Sequence, residues 1–137
     1  MSYEAEAMKA IQTASWEMDI APSWSFSKDP ECWTITKSDD GALQISTAVK
    51  NDGAVLPEEL TEFADINESW GAVELVTLGH FKGIAVSYTE LDEDVSWKRY
   101  WVAHENVLVM ITYNAIPAVF LLEEHDVNKM LKTLRKN

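Results

Sequence analysis

One segment of the sequence, Trp97-Lys98-Arg99-Tyr100-Trp101, combines the residue types that most often anchor protein interfaces. In a β-strand, Trp97, Arg99 and Trp101 share one face while Lys98 and Tyr100 share the other, so each face carries an aromatic ring and a cation. If helices cover one face of the sheet, the other face would present this strand to a partner. The alternative is that the tryptophans pack beneath a helix and Arg99 pairs with an acid or extends along apolar surface.

An acidic turn precedes this segment, with Glu90 followed by Asp92, Glu93 and Asp94. Carboxylate oxygens are what a hard cation such as calcium requires, but the spacing does not match an EF-hand loop. Acidic residues at a hairpin tip also keep the hairpin soluble and discourage edge pairing. We predict that Asp92, Glu93 and Asp94 are solvent-exposed and contribute to a partner-binding surface.

The remaining reactive residue types are scattered. His80, His104 and His125 have no spacing typical of metal ligands, and Cys32 is the only cysteine, which excludes an intramolecular disulfide and a cysteine-based zinc site. The sequence contains no glycine-rich phosphate loop and no hydrolase or zinc-protease motif. Trp24 lies in a loop and is interpreted as a lid on the core or as a partner contact. We therefore predict no catalytic residue, no metal and no cofactor.

The chain has 137 residues, of which 47% are hydrophobic, and six of them are tryptophans. This length and composition suit one self-sufficient core, so we predict a single domain over residues 1–137. Residues 1–14 are interpreted as a loose N-terminal arm or a short helix. The N-terminus lacks a basic region followed by an apolar run, and no segment approaches a membrane span, which predicts a cytoplasmic protein.

The charge of the chain is strongly acidic, with 23 Asp and Glu against 11 Lys and Arg. Four of the 11 bases lie in the last nine residues, so residues 1–128 carry 23 acids and seven bases, a balance of −16. Such a field repels phosphate backbones and anionic lipids, which argues against nucleic acid and membrane as partners. The acidity serves solubility in one interpretation and attracts a basic protein partner in the other.

Hydrophobic periodicity predicts an α+β fold in which an antiparallel sheet of about six to seven strands is flanked by helices. A helix is predicted from residue 57, where Pro57 and two acids suit a helix N-terminus, to just before Gly71. Residues 21–31 are predicted as a loop. Strands are predicted at 16–20, 32–36, 43–49, 73–78, 83–91, 95–103 and 107–113, and a second helix at 123–135.

Together with this order of elements, the segments WTI, GALQISTAV, LPEE, KGIAVSYTELDEDVSWKRYWV, VLVMITYN and LKTLRK give a chain that resembles the PsbP-like superfamily. That superfamily includes photosystem subunits, Ran-binding import factors of the Mog type, DcrB lipoproteins and Eag-type chaperones. The resemblance extends from Trp16 to Arg135. It implies an α/β/α sandwich and a binding function, although no Ran-recognition patch or lipobox cysteine is present to be matched residue by residue.

The leading hypothesis is a non-catalytic protein-binding module of bacterial type, such as a secretion chaperone or adaptor, or an immunity protein that neutralises a basic toxin. The alternative is a small-molecule-binding protein or enzyme that uses a cleft between sheet and helix, with Glu74, Glu90 or His104 as acid or base. A cleft of at least roughly 300 Å³ with converging polar groups would favour that alternative. A homodimer through the exposed sheet face is a third possibility.

Overall fold

A computed structural model describes residues 9–38 and 40–137 of the chain. The described residues form an α+β fold with ten strands, two α-helices and one short 3₁₀ turn, which confirms the predicted fold class. The elements are β1 Lys9–Gln12, β2 Trp16–Ile20, β3 Ser25–Lys28, β4 Trp33–Thr36, β5 Gly41–Val49, α1 Pro57–Ala64, the 3₁₀ turn Glu68–Trp70, β6 Glu74–Leu78, β7 Phe81–Glu90, β8 Val95–His104, β9 Val107–Ala115, α2 Pro117–Leu131 and β10 Arg135–Lys136.

The strands form two antiparallel sheets. Seven strands pair in the order β3-β4-β5-β9-β8-β7-β6, and the three short strands pair in the order β1-β2-β10. The long strands β7, β8 and β9 are joined by tight turns, so each pairs with its neighbour in sequence. The hairpins predicted around residues 91–94 and 104–106 are therefore present, and they place β8 inside the large sheet between β9 and β7.

The main core lies between the large sheet and a cover made of α2 and the small sheet. Alternate residues of the strands point into it because side chains on a β-strand alternate between its two faces. Two tryptophans from the small-sheet side are fully buried here, and the indole N–H of Trp16 donates to Thr47 Oγ1 at 2.7 Å. The buried residues of this core include Met18, Ile20, Leu43, Ile45, Phe81, Val109, Ile111, Val127, Met130 and Leu131.

Helix α1 covers part of the opposite face of the large sheet. Leu60 and Ala64 on its inner side pack with Ile84, Trp101 and Leu108 of the central strands, forming a second, smaller buried cluster. Farther from the helix this face is only partly covered, since the side chains of Thr34, Gln44, Thr112 and Asn114 are all half-exposed. Helices therefore lie on both faces of the sheet, and the part of the α1 face that is farther from the helix is partly exposed to solvent.

The start of α1 is held by a short polar network. Pro57 occupies the first turn, and the Glu59 carboxylate accepts bonds from the Leu56 backbone N–H at 2.9 Å and from Lys50 Nζ at 2.8 Å. The hydrogen bond from Lys50, followed by that from the Leu56 backbone, lowers the pKa of Glu59, and the same ion pair raises the pKa of Lys50. The helix ends at Ala64 rather than just before Gly71 as predicted, because the next residue, Asp65, caps it in a left-handed conformation with φ 45°.

Helix α2 differs from its predicted position. It spans Pro117–Leu131 rather than 123–135. The helix begins earlier than predicted because Pro117 has a helix-compatible φ at the first turn, and the apolar residues that follow it continue the helix. The chain leaves the helix after Leu131 and forms β10, in which Arg135 ion-pairs with Glu17 and Asp19 at 3.2 Å. These long-range pairs outweigh the local helical spacing that suggested a longer helix.

Strands β1, β3 and β10 were not predicted from the sequence. The interpretation of residues 1–14 as an arm or a helix is wrong for Lys9–Gln12, which form β1 against β2, while residues 1–8 lie outside the described part of the chain. Strand β3 lies in the predicted loop and pairs with β4 at the sheet edge. Each of these strands buries at most one side chain, so the alternation that marks a strand is missing. Within the described residues, neither helix is long and apolar enough to cross a membrane.

Candidate partner-binding cleft

Three aromatic rings and one arginine form an ordered cluster on the α1 side of the large sheet. The Tyr88 ring lies between two indoles, 5.0 Å from Trp70 with an interplanar angle of 4° and 6.2 Å from Trp97 with an angle of 7°. The guanidinium carbon of Arg99 lies 4.9 Å from the centre of the Trp70 ring and 4.7 Å from that of Trp97. Its Nε donates a hydrogen bond to the Tyr88 hydroxyl at 2.9 Å.

The hairpin register places three members of this cluster. Tyr88 of β7 is directly opposite Trp97 of β8, and Arg99 follows two residues later on the same face of β8. Trp70 comes from the 3₁₀ turn after α1, where the Asn67 side chain accepts the backbone N–H of Ser69 at 2.9 Å and fixes the start of the turn. The chain then turns away through a glycine with φ 86°, a conformation that L-residues rarely adopt.

Arg99 is held by rings rather than by a carboxylate. Among the described residues no Asp or Glu oxygen lies within 4 Å of its guanidinium, even though the chain has twice as many acids as bases. Guanidinium groups stack on aromatic faces, and each such contact at a partly exposed site contributes about 0.5–1 kcal/mol. Arg99 therefore links the three rings and fixes their mutual orientation.

An open cleft of about 530 Å³ lies beside this cluster. Trp70 and Tyr88 form an aromatic wall, and the end of β7 with the following turn contributes Glu90 and Asp92. Neither carboxylate has a Lys or Arg nitrogen within 4 Å in the described residues. Leu91, whose side chain is 87% exposed, lies at the rim. The remaining lining residues are Asn67, Ser69 and Thr89.

The structure brings together most of the residues predicted to contact a partner. Trp97 and Arg99 belong to the aromatic cluster, and Asp92 lines the adjacent cleft. Glu93 and Asp94 lie exposed at the tip of the same hairpin, where Asp94 has φ 53°. The cluster and the acidic turn, which are separate features of the sequence, thus form one continuous surface.

Two predicted contact residues lie elsewhere. Trp101 is on the same face of β8 as Arg99 but is only 8% exposed, because α1 covers it through Leu60. Trp24 is completely buried in the main core, where its indole N–H donates to Asp126 of α2 at 3.0 Å. Trp24 therefore lies within the core, and its side chain is not exposed on the surface that the structure describes.

Sequence reasoning missed Trp70 and Tyr88. A signal for Tyr88 was available, since it and Trp97 are equally far from the centre of the predicted turn and must therefore pair across the hairpin. Trp70 had no such signal, because it reaches the cluster through the packing of α1 on the sheet. Lys98, on the opposite face of β8, ion-pairs with Glu74 at 3.1 Å and lies 5.4 Å from the Tyr100 ring.

The acid and base candidates of the small-molecule alternative do not converge. Glu90 lines the cleft, whereas Glu74 is exposed on β6 and paired with a lysine. His104 lies at the other end of β8, with its Nδ1 3.0 Å from the His80 carbonyl oxygen and its Nε2 3.2 Å from Glu105. No group of three or more potential metal ligands is gathered anywhere in the described residues.

A second open cleft, of about 460 Å³, lies between the β1–β2 turn, the β3–β4 turn and β5. Cys32 is in its wall, with its Sγ 3.8 Å from Asp29 and 3.9 Å from Gln44. Backbone hydrogen bonds from Cys32 and then Glu31 lower the pKa of the Asp29 carboxyl, so Asp29 organises this loop as an anion. These contacts shape the loop, and none of them calls for a catalytic role of Cys32.

One carboxylate, Glu123 of α2, is only 4% exposed. It accepts hydrogen bonds from the Tyr113 hydroxyl at 2.6 Å and the Ser38 hydroxyl at 3.1 Å. Burial and, after it, the bond to Glu123 raise the pKa of Tyr113 well above its usual value. A side chain at Gly41 would overlap the Glu123 carboxylate, so the site is closed and ties α2 to the sheet.

Comparisons with known proteins support the fold. No protein-family model matches the chain, and no curated protein matches it. Among solved structures, one from Bacteroides thetaiotaomicron VPI-5482 aligns with a TM-score of 0.70 and 14% identity over 94% of this chain and 48% of that chain. LpqN, involved in cell envelope biogenesis of Mycobacterium tuberculosis, aligns with a TM-score of 0.56 and 13% identity over 98% and 94%. The chain thus spans about half of the Bacteroides protein and nearly all of LpqN, and at these identities it is similar to both in fold alone.

Proposed function

We propose that this protein is a non-catalytic protein-binding module, and that its binding site is the cleft between the aromatic cluster and the acidic turn. The observation that carries the proposal is the arginine-linked stack of Trp70, Tyr88 and Trp97 at the edge of an open cleft. Rigid aromatic residues at a partly exposed site supply large contact area with little loss of side-chain entropy. The acids at the cleft add charge selectivity.

The charge of the chain favours a basic partner. Its formal net charge of −12 would accelerate encounter with a cationic protein and slow encounter with nucleic acid or an anionic membrane. We infer a partner such as a basic toxin or a secreted basic protein, with this chain acting as its immunity protein, chaperone or adaptor. Membership of the PsbP-like superfamily, proposed from the sequence resemblance, is compatible with such binding functions.

The compartment is part of the proposal. A cytoplasmic location is inferred from the sequence, whereas the fold neighbour LpqN is a protein of cell envelope biogenesis. Fractionation of the source organism separates these two locations. A cytoplasmic protein would be recovered with the soluble cell contents, and an envelope protein would remain with the cell wall or periplasmic fraction.

A small-molecule-binding function is the second candidate. Clefts of about 530 and 460 Å³ exceed the roughly 300 Å³ that a ligand site requires. Against this candidate, the acid and base residues proposed for it lie in separate places. Ligand screening by thermal shift would support it if one compound stabilised the wild type and lost that effect when cleft residues were changed.

The test of the protein-binding function is affinity capture from the source organism with a pair of charge-matched variants. Glu90→Lys/Asp92→Lys changes the cleft, and Glu58→Lys/Glu62→Lys makes the same change in net charge on the exposed side of α1. We expect one basic protein to be retained by wild type and by the α1 variant at low salt, and to be lost from the cleft variant. Equal retention by both variants would contradict the proposed site.

A further inference from the structure

The cleft offers a cationic side chain two kinds of stabilisation at once. Trp70 and Tyr88 provide an aromatic wall, whose ring quadrupoles attract cations. Glu90 and Asp92 add negative charge to the lining of the same cleft, and neither has a Lys or Arg nitrogen within 4 Å in the described residues. An uncommitted carboxylate beside an aromatic wall is complementary to a cation that can stack.

Three of the other polar side chains of the cleft already make hydrogen bonds within the protein. The Asn67 side-chain oxygen accepts hydrogen bonds from both the backbone N–H and the hydroxyl of Ser69, each at 2.9 Å. The Thr89 hydroxyl lies 3.2 Å from the hydroxyl of Ser96. Glu90 and Asp92 are therefore the charged acceptors that the cleft offers to a ligand, and their charge favours a donor that is positively charged.

The geometry points to a guanidinium rather than an ammonium group. We infer, building on the proposed protein-binding function, that the cleft lined by Trp70, Tyr88, Glu90 and Asp92 receives an arginine side chain of the partner protein. A guanidinium is planar, stacks on aromatic rings and donates paired hydrogen bonds to a carboxylate, whereas an ammonium is a compact and strongly hydrated charge. The exposed Leu91 at the rim suits the aliphatic stem of the same side chain.

The chain's own arginine does not fill this role. Arg99 does not line the cleft, because its guanidinium lies on the Trp70 and Trp97 rings and bonds to the Tyr88 hydroxyl. It therefore acts as a positioning residue that fixes the aromatic wall from behind. Because Arg99 is positively charged and repels a second cation, the two cleft carboxylates are needed to bind one.

The test uses three uncharged-backbone probes: N-acetyl-arginine methylamide, its lysine analogue and its citrulline analogue, which keeps the shape of arginine without the charge. Each is titrated into the 137-residue chain while backbone and indole N–H signals are followed by NMR. We expect arginine to shift signals of Ser69, Trp70, Leu91 and Asp92, and to bind about tenfold more tightly than citrulline, the sum of two exposed ion pairs. Lysine should bind more weakly than arginine.

Matched variants then localise the effect. Glu90→Gln/Asp92→Asn should weaken arginine binding about tenfold, whereas Glu58→Gln/Glu62→Gln on α1 should change it less than about twofold. Citrulline binding as tightly as arginine, or equal losses in both variants, would overturn the inference. Capture of a basic protein at the cleft without arginine binding would overturn this inference and leave the proposed function standing. Arginine binding without any captured partner would support this inference and count against the proposed function.

Discussion

Replacing Arg99 with methionine should destabilise the protein by about 2–3 kcal/mol. The substitution removes two stacking contacts, to Trp70 and Trp97, at about 0.5–1 kcal/mol each, and one hydrogen bond to Tyr88 of about 1 kcal/mol. Methionine keeps much of the apolar stem, so the loss of packing is small. No ion pair adds to the sum, because no carboxylate within the described residues lies within 4 Å of Arg99.

Urea unfolding followed by tryptophan fluorescence measures this change, and an unaltered m-value would show that the variant still unfolds in the same way. Lys82→Met, at an exposed position of β7, is the matched control and should change stability by less than about 0.5 kcal/mol. A double-mutant cycle with Tyr88→Phe should give a coupling of about 0.5–1.5 kcal/mol. An Arg99→Met variant as stable as the control, or a coupling near zero, would refute the role of Arg99 in linking the rings.

Three further predictions concern the fold. Glu123→Ala should cost about 2–4 kcal/mol by leaving the Tyr113 hydroxyl unpaired, and adding Tyr113→Phe should recover part of that loss in thermal unfolding. Gly79→Ala should destabilise the protein by at least about 2 kcal/mol, because the residue has φ 60° and a Cβ would overlap the backbone after α2. Gly53→Ala, where φ is 99° but no atom lies near the added Cβ, should cost about 1 kcal/mol. The pKa of Glu59 is lowered in the folded protein, so its ion pair should stabilise the fold at pH values above the unfolded pKa of about 4.3. This stability should be lost as the pH falls through the pKa of the folded state, and Glu59→Gln should flatten this part of a pH-stability profile.

Most strands and the start of the first helix were predictable because each carries a strong local pattern. Trp16–Ile20 alternates fully between buried and half-buried residues, and Pro57–Ala64 begins with proline and two acids. Strands β1, β3 and β10 were not predictable, because each buries at most one side chain and so lacks the alternation that marks a strand. The end of α2 was mispredicted for a different reason, since Arg135 is held in β10 by acids more than 100 residues away.

The candidate site was half predictable. The face shared by Trp97 and Arg99 follows from strand geometry, and the exposure of the acidic turn follows from hairpin geometry. The burial of Trp101 does not, because it depends on where α1 packs along the strand. The contribution of Trp70 depends on the same packing, so only the three-dimensional structure joins it to Tyr88 and to the cleft.

The central claim is that a partner protein docks at the cleft. The most direct test places a photo-crosslinking amino acid in the living source organism at Leu91, on the cleft rim, and separately at Leu122, an equally exposed leucine on α2. Our account predicts one basic protein crosslinked from Leu91 and not from Leu122, with the product abolished by Glu90→Lys/Asp92→Lys. Crosslinking from Leu122 alone, or a Leu91 product that the charge reversal leaves unchanged, would contradict it.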